Sequence, residues 1–113
     1  MGQRFRPAAR IRRTPEFTRV FQKGRKYSNR YFTLHILPSA GGVTRLGVIA
    51  SRHTGRAVER NRAKRLLREA FRRLRHRLPP GLDLVAVAKS PIVRARLRDV
   101  EIVFLDAMRP RKR

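Results

Sequence analysis

The stretch RNRAKRLLREAFRRLRHRLPPGLDLVAVAK, residues 60–89, holds two hydrophobic patterns joined by a breaker. In the first part Ala63, Leu66, Leu67, Ala70, Phe71 and Leu74 recur at i, i+3, i+4, i+7, i+8 and i+11, which is one apolar stripe of helical period. The opposite face holds Asn61, Lys64, Arg65, Arg68, Arg72 and Arg75. The spacing predicts a long amphipathic helix over about 56–77. Leu78-Pro79-Pro80-Gly81 then stops it, because proline removes a helical donor and clashes with the preceding turn. Residues 82–89 form an almost continuous apolar run of strand length, the signature of a strand covered on both faces. A helix with one apolar stripe needs a sheet to lie on, and this strand belongs to it.

Working outward, Thr14-Pro15-Glu16 is a helix start, with an N-cap, a proline at the first helical position and an acid in the first turn. Phe17, Val20 and Phe21 follow at helical spacing and Gly24 closes the segment, so a short helix is expected over 15–23. Residues 30–38 alternate, with Phe32, Leu34 and Ile36 on one face and Tyr31, Thr33 and His35 on the other. Gly41-Gly42 within 39–43 reads as a hairpin loop, and 45–51 as a second strand paired antiparallel with the first. Val100, Val103, Phe104 and Ala107 give a final helix over 98–108. The order is α-β-β-α-β-α, an α+β two-layer sandwich with a sheet of three or four strands. Its strand–helix–strand crossover is right-handed by default. The 113 residues are expected to form one domain, with basic tails at about 1–13 and 109–113.

Charge narrows the function. Thirty Lys and Arg face seven Asp and Glu, a net +23. Such a surface repels itself and calls for a polyanion, nucleic acid first and anionic membrane second. Only five of the cations are lysine, and guanidinium forks onto phosphate and stacks on bases. The Arg bias equally suits a GC-rich genome or a thermophile. Between 52 and 77 stand eleven cations and two acids, which repel one another along the helix unless phosphates neutralise them. No apolar run approaches the roughly 18–20 residues of a membrane helix, and the basic residues 1–13 lack the apolar centre of a secretory signal. With no cysteine there is neither disulfide nor thiolate metal site. His35, His53 and His76 have no metal-ligand spacing, no carboxylate pair stands out for acid–base work, and there is no glycine-rich phosphate loop. Phe17, Phe21, Tyr31 and His35 read either as core or as a stacking surface for unpaired bases.

The run SRHTGRAVERNRAKRLLREAF, residues 51–71, resembles the signature of the bacterial ribonuclease P protein subunit. That family carries R-N-x-x-K-R-x-x-R after G-x-A-V, matched by Gly55, Ala57, Val58, Arg60, Asn61, Lys64, Arg65 and Arg68. TPEFTRVFQKG (14–24) is similar to the family's first helix, NRYFTLHIL (29–37) to its first strand and DLVAVAKSP (83–91) to its last conserved strand, so the likeness covers about 10–108. The chain departs from the family's usual pattern at Arg52-His53, where two lysines are common, at Arg56, where asparagine is common, and at His35.

The resemblance implies a small partner of a catalytic RNA that removes the 5′ leader of precursor tRNA by hydrolysing a phosphodiester. The magnesium is bound mainly through the RNA, and the chain supplies no nucleophile, no general base and no metal site of its own. It implies a left-handed βαβ crossover in place of the default, a bacterial cytoplasmic location and no obligate protein partner. Arg60, Asn61, Arg62, Lys64, Arg65 and Arg68, with Arg72 further along the same face, are implied to meet the catalytic RNA. Phe17, Phe21, Thr33, His35, Ser51, Arg52 and Lys89 are implied to line the leader cleft. A structural RNA-binding protein such as a ribosomal component is the alternative. Asn61 is left with two readings, contact with RNA or a brace for the helix start, since its amide both donates and accepts.

Overall fold

The computed structural model describes residues 10–12 and 14–109. The expected tails at 1–13 and 109–113 lie outside these except at 10–12 and 109. The three N-terminal residues that are described do not behave as a tail. Arg10 forms a parallel bridge with Leu46, Ile11 N–H donates to the Leu46 carbonyl at 3.1 Å, and the Ile11 side chain is buried.

The elements are α1 (Thr14–Lys23), β1 (Arg25–Ser28), β2 (Phe32–Pro38), β3 (Arg45–Ile49), α2 (Ala57–Leu74), β4 (Leu82–Ala88) and α3 (Leu97–Ala107). The sheet order is β1-β2-β4-β3, with β1–β2 and β2–β4 antiparallel and β3–β4 parallel. Two expectations are corrected here. β2 and β3 are not a hairpin, since β4 lies between them. The buried apolar run of β4 demands a neighbour on each side, and pairing β2 directly with β3 would leave it at an edge. The loop between β2 and β3 is fastened instead to the turn before β4: Ser39 N–H donates to Gly81 O at 2.7 Å, and Thr44 Oγ1 donates to Pro79 O at 2.5 Å. The second correction is β1, a strand the sequence pattern did not show. It makes β2, the first strand expected, the second in the chain. Its RKYS has a single apolar residue and three exposed positions, so no alternation marks it.

Local chemistry fixes the helix ends. Glu59 accepts the Arg56 N–H at 2.8 Å, and Asp99 accepts the Arg96 N–H at 3.0 Å, so each helix satisfies a flanking donor with an acid in its own first turn. α2 gives way to a 3-10 turn over Arg75–Arg77 before the prolines. Gly24 closes α1 where a Cβ would stand 2.6 Å from Val20 O and 2.9 Å from Ile36 O, so only glycine fits between helix and sheet.

The α-β sandwich is built on one face of the sheet. Phe32, Leu34, Ile36, Leu46, Leu84 and Ala86 pack there against Ala63, Leu67, Ala70 and Phe71 of α2 and Val100 and Phe104 of α3. Phe104 joins the layers, with ring centroids 5.6 Å from Phe32 and 6.3 Å from Phe71. The other face carries a smaller cluster of Ile11, Val20 and Val85 under α1.

Candidate RNA interface

Cross-strand register places side chains on the α1 face in rows. Ser28, Thr33, Val87 and Ile49 form one row across all four strands, and Lys26, His35, Val85 and Gly47 form the next. α1 covers the second row. Val20 packs on Val85, and the Phe17 ring occupies the space over Gly47, where a Cβ would lie 2.6 Å from the ring. The first row is left beside the helix as a strip with hydroxyls at one end and aliphatic residues at the other. Ser28 Oγ and Thr33 Oγ1 stand 3.5 Å apart, and Val87 and Ile49 are only partly buried.

Phe21 and His35 wall this strip. Their rings meet edge to face at 4.8 Å, and Phe21 is 39% exposed. Burial, aided by the charge of Lys26, holds the His35 imidazole below its ordinary value of 6.5. At the end of the strip Lys89 Nζ donates to Ser28 Oγ at 2.6 Å and to Asn29 O at 2.7 Å, which fixes its cation there. Because β3 runs parallel to β4, Ser51 and Arg52 emerge at this same end, both exposed. The fold thus gathers Phe21, Thr33, His35, Ser51, Arg52 and Lys89 around one strip. Phe17 borders it as a partly buried ring packed on the sheet.

α1 is held in place by charge as well as packing. Arg45 grips Asp83 through Nε and Nη2, both at 2.9 Å, and reaches Glu16 through Nη1 at 3.0 Å. Glu16 precedes Phe17, so this tie seats the ring over the strip's border.

The outer face of α2 divides its cations. Arg62 is a strut: Nε donates to Val93 O and Nη2 to Ala95 O, both at 2.9 Å, binding the helix to the 3-10 segment Ser90–Arg94. Arg60 Nη1 donates to Gly55 O at 3.1 Å and braces the start of α2. Arg72 is paired with Glu69. Asn61, Lys64 and Arg65 make no hydrogen bond or ion pair among the described residues, and Asn61 and Arg65 are exposed. Arg68 turns toward the N-terminal segment, where burial and the charge of Arg10 lower its proton affinity. Arg10, Arg12 and Arg68 share a cavity with Phe17, which draws Arg10 and Arg12 out of the basic tail expected from the sequence. Ser28 was missed with its strand; a four-residue segment of RKYS carries no signal that would have found it. Among the described residues no three His, Asp or Glu gather in a metal-binding group, and no helix is long and apolar enough to cross a membrane.

The family model of ribonuclease P matches residues 5–109. The chain belongs to the ribonuclease P protein family. A Clostridium botulinum ribonuclease P protein component is 35% identical over 101 residues, 88% of this chain and 91% of that relative. One from Desulfovibrio desulfuricans is 48% identical over 83 residues, 72% of this chain and 64% of the relative, so the match spans under two thirds of that protein. The solved RNase P protein of Thermotoga maritima superposes with a TM-score of 0.79 at 29% identity, over 88% of this chain and 94% of its own. That of Staphylococcus aureus gives 0.76 at 27%, over 88% and 91%. Within the ribonuclease P motif of this chain the roles are unequal. Arg60 and Arg62 hold the fold together, while Asn61, Lys64 and Arg65 face outward.

Proposed function

We propose that this chain is the protein subunit of a ribonuclease P holoenzyme, acting in tRNA 5′ maturation. It binds the catalytic RNA with the outer face of α2 and the 5′ leader of precursor tRNA along the strip beside α1. Endonucleolytic cleavage belongs to the RNA and its magnesium, in the bacterial cytoplasm. The chain contributes phosphate neutralisation and substrate contacts, and its crossover is the left-handed one of the family it resembles. Arg65, Lys64, Asn61 and Arg68 make the phosphate and sugar contacts of the RNA face, joined by Arg72 once phosphate competes for its ion pair. Arg60 and Arg62 add their remaining donors from fixed positions. Phe21 and His35 offer ring surface to unpaired leader bases, Thr33 offers a hydroxyl, and Lys89, Arg52 and Ser51 hold backbone at the end.

The observation that carries this reading is the division of the two surfaces. One is a flat cationic helix face suited to backbone. The other is a narrow strip of hydroxyl and aliphatic floor with aromatic walls, suited to a single strand. The test is reconstitution with a bacterial ribonuclease P RNA at low magnesium. Leader cleavage should be stimulated by the protein. RNA binding without stimulation would instead leave a structural RNA-binding protein.

A further inference from the structure

The three loops that end the strip do not stop there. Each gives one residue to the strip and another, one or two positions further on, to a second cavity around the corner of the sheet. Ser28 is followed by Arg30, Arg52 by Thr54, and Lys89 by Ser90. Arg30, Thr54 and Ser90, with Glu59 and Arg94, line a cavity of about 430 Å³, within the roughly 300–1,000 Å³ of small-ligand sites. It lies between the start of α2 and the 3-10 segment that Arg62 fastens to that helix.

Its chemistry is mixed in an informative way. Arg30 and Arg94 are exposed and have no carboxylate partner among the described residues. Arg30 is nevertheless placed. Asn29 Oδ1 accepts the N–H groups of Tyr31 at 2.8 Å and Phe32 at 3.0 Å, which forms a tight turn, and the guanidinium stands 5.7 Å from the Tyr31 ring centre. Glu59 uses Oε1 to accept the Arg56 N–H, so its second oxygen remains as an acceptor. Thr54 Oγ1 donates to Ala88 O at 3.3 Å and keeps its lone pairs for another donor. Two cations would suit any anion, but a carboxylate in the same cavity disfavours a bare phosphate. The combination fits a ligand with phosphate at one end and hydroxyl donors at the other.

We propose that this cavity holds one ribonucleotide of the strand that occupies the strip, with Arg30 and Arg94 on its phosphate and Glu59 accepting from its ribose 2′-hydroxyl. This rests on the leader reading above and deepens it. The site selects for RNA over DNA at a single position, because only ribose carries that donor.

The experiment uses the reconstituted holoenzyme and precursor tRNAs with one 2′-deoxy substitution at each leader position in turn. Arg30→Ala/Arg94→Ala should weaken precursor binding about tenfold, the loss of charge-assisted bonds, with mature tRNA unaffected. One leader position should respond to 2′-deoxy substitution in the wild type and lose that response in the double variant. Both arginines are exposed, so circular dichroism of the variant should match the wild type. The proposal is overturned if the double variant binds every precursor as the wild type does. It is equally overturned if no single position shows the deoxy effect, or if only assembly with the catalytic RNA weakens. Phe21→Ala and Lys89→Ala separate the two levels. If they leave the preference for precursor over mature tRNA intact, the leader reading itself fails. If they reduce it while Arg30→Ala/Arg94→Ala does not, only the ribonucleotide site fails.

Discussion

Phe17 and Phe21 lie one helical turn apart on α1, and the sheet beneath divides their tasks. Phe17 sits over Gly47 beside the smaller apolar cluster, whereas Phe21 is more exposed and meets the His35 ring edge to face. Truncating Phe17 should therefore cost stability, on the order of 2 kcal/mol in a urea melt, less than for a fully buried ring. Phe21→Ala should leave the melt nearly unchanged and weaken precursor tRNA relative to mature tRNA. Equal stability losses for both would place Phe21 in the core. The sequence showed the two rings on one helix face but left core and stacking open, since i, i+4 spacing does not say where the supporting sheet row ends. Asn61 shows the same limit. The bracing of the helix start falls to Glu59 and Arg60, and Asn61 stays exposed, a division that residue type alone does not reveal.

At the scale of elements, legibility followed hydrophobic contrast. α2, β4 and α3 were readable to within a few residues because a stripe or a run of apolar side chains is what drives their burial. β1 does not show in the sequence because four residues with one apolar side chain make no alternation, and the partners of Tyr27, the main core and Asp106, are distant in sequence. The order of β2, β4 and β3 departs from the expected hairpin because a glycine pair suits a crossing loop as well as a hairpin, and the loop's true partner, the turn at 79–81, is distant in sequence. The same contrast separates the arginines of α2, all alike in the sequence. Arg65→Ala should lower the salt slope of binding to the catalytic RNA by about 0.7–0.9, the loss of one phosphate contact, with little change in melting temperature. Arg62→Ala should do the reverse in the free protein. It removes the donors to the carbonyls of Val93 and Ala95 and should cost about 1–2 kcal/mol in denaturant unfolding, for two bonds at the surface. A large stability loss for Arg65→Ala would contradict this partition.

Over the whole molecule the seven acids are all engaged internally. Glu16 and Asp83 hold Arg45, Glu69 holds Arg72, Glu101 holds Arg73, and Asp106 accepts from Tyr27 and pairs with Arg109. Glu59 and Asp99 accept backbone N–H groups at the starts of α2 and α3. Each carboxylate is tied to a partner within the fold, Glu59 and Asp99 through one backbone N–H each, and the net +23 acts outward. The compact state carries the cost as self-repulsion. Sulfate should accordingly raise the thermal midpoint, seen by circular dichroism, more than chloride at equal ionic strength, because bound divalent anion stabilises only the folded chain. Identical midpoints in the two salts would mean general screening alone. The sheet's two borders add a further consequence. β3 has the Arg10–Ile11 segment laid along it, whereas β1 stands at the border of the sheet among the described residues, a short strand that carries Arg25 and Lys26. Such a border is a template for another strand, and like charge is what keeps a second copy from adding there. Solubility and RNA affinity therefore draw on one reserve of charge. Whatever neutralises it also removes the guard on that border, and a bound RNA has to replace by its bulk the protection it cancels.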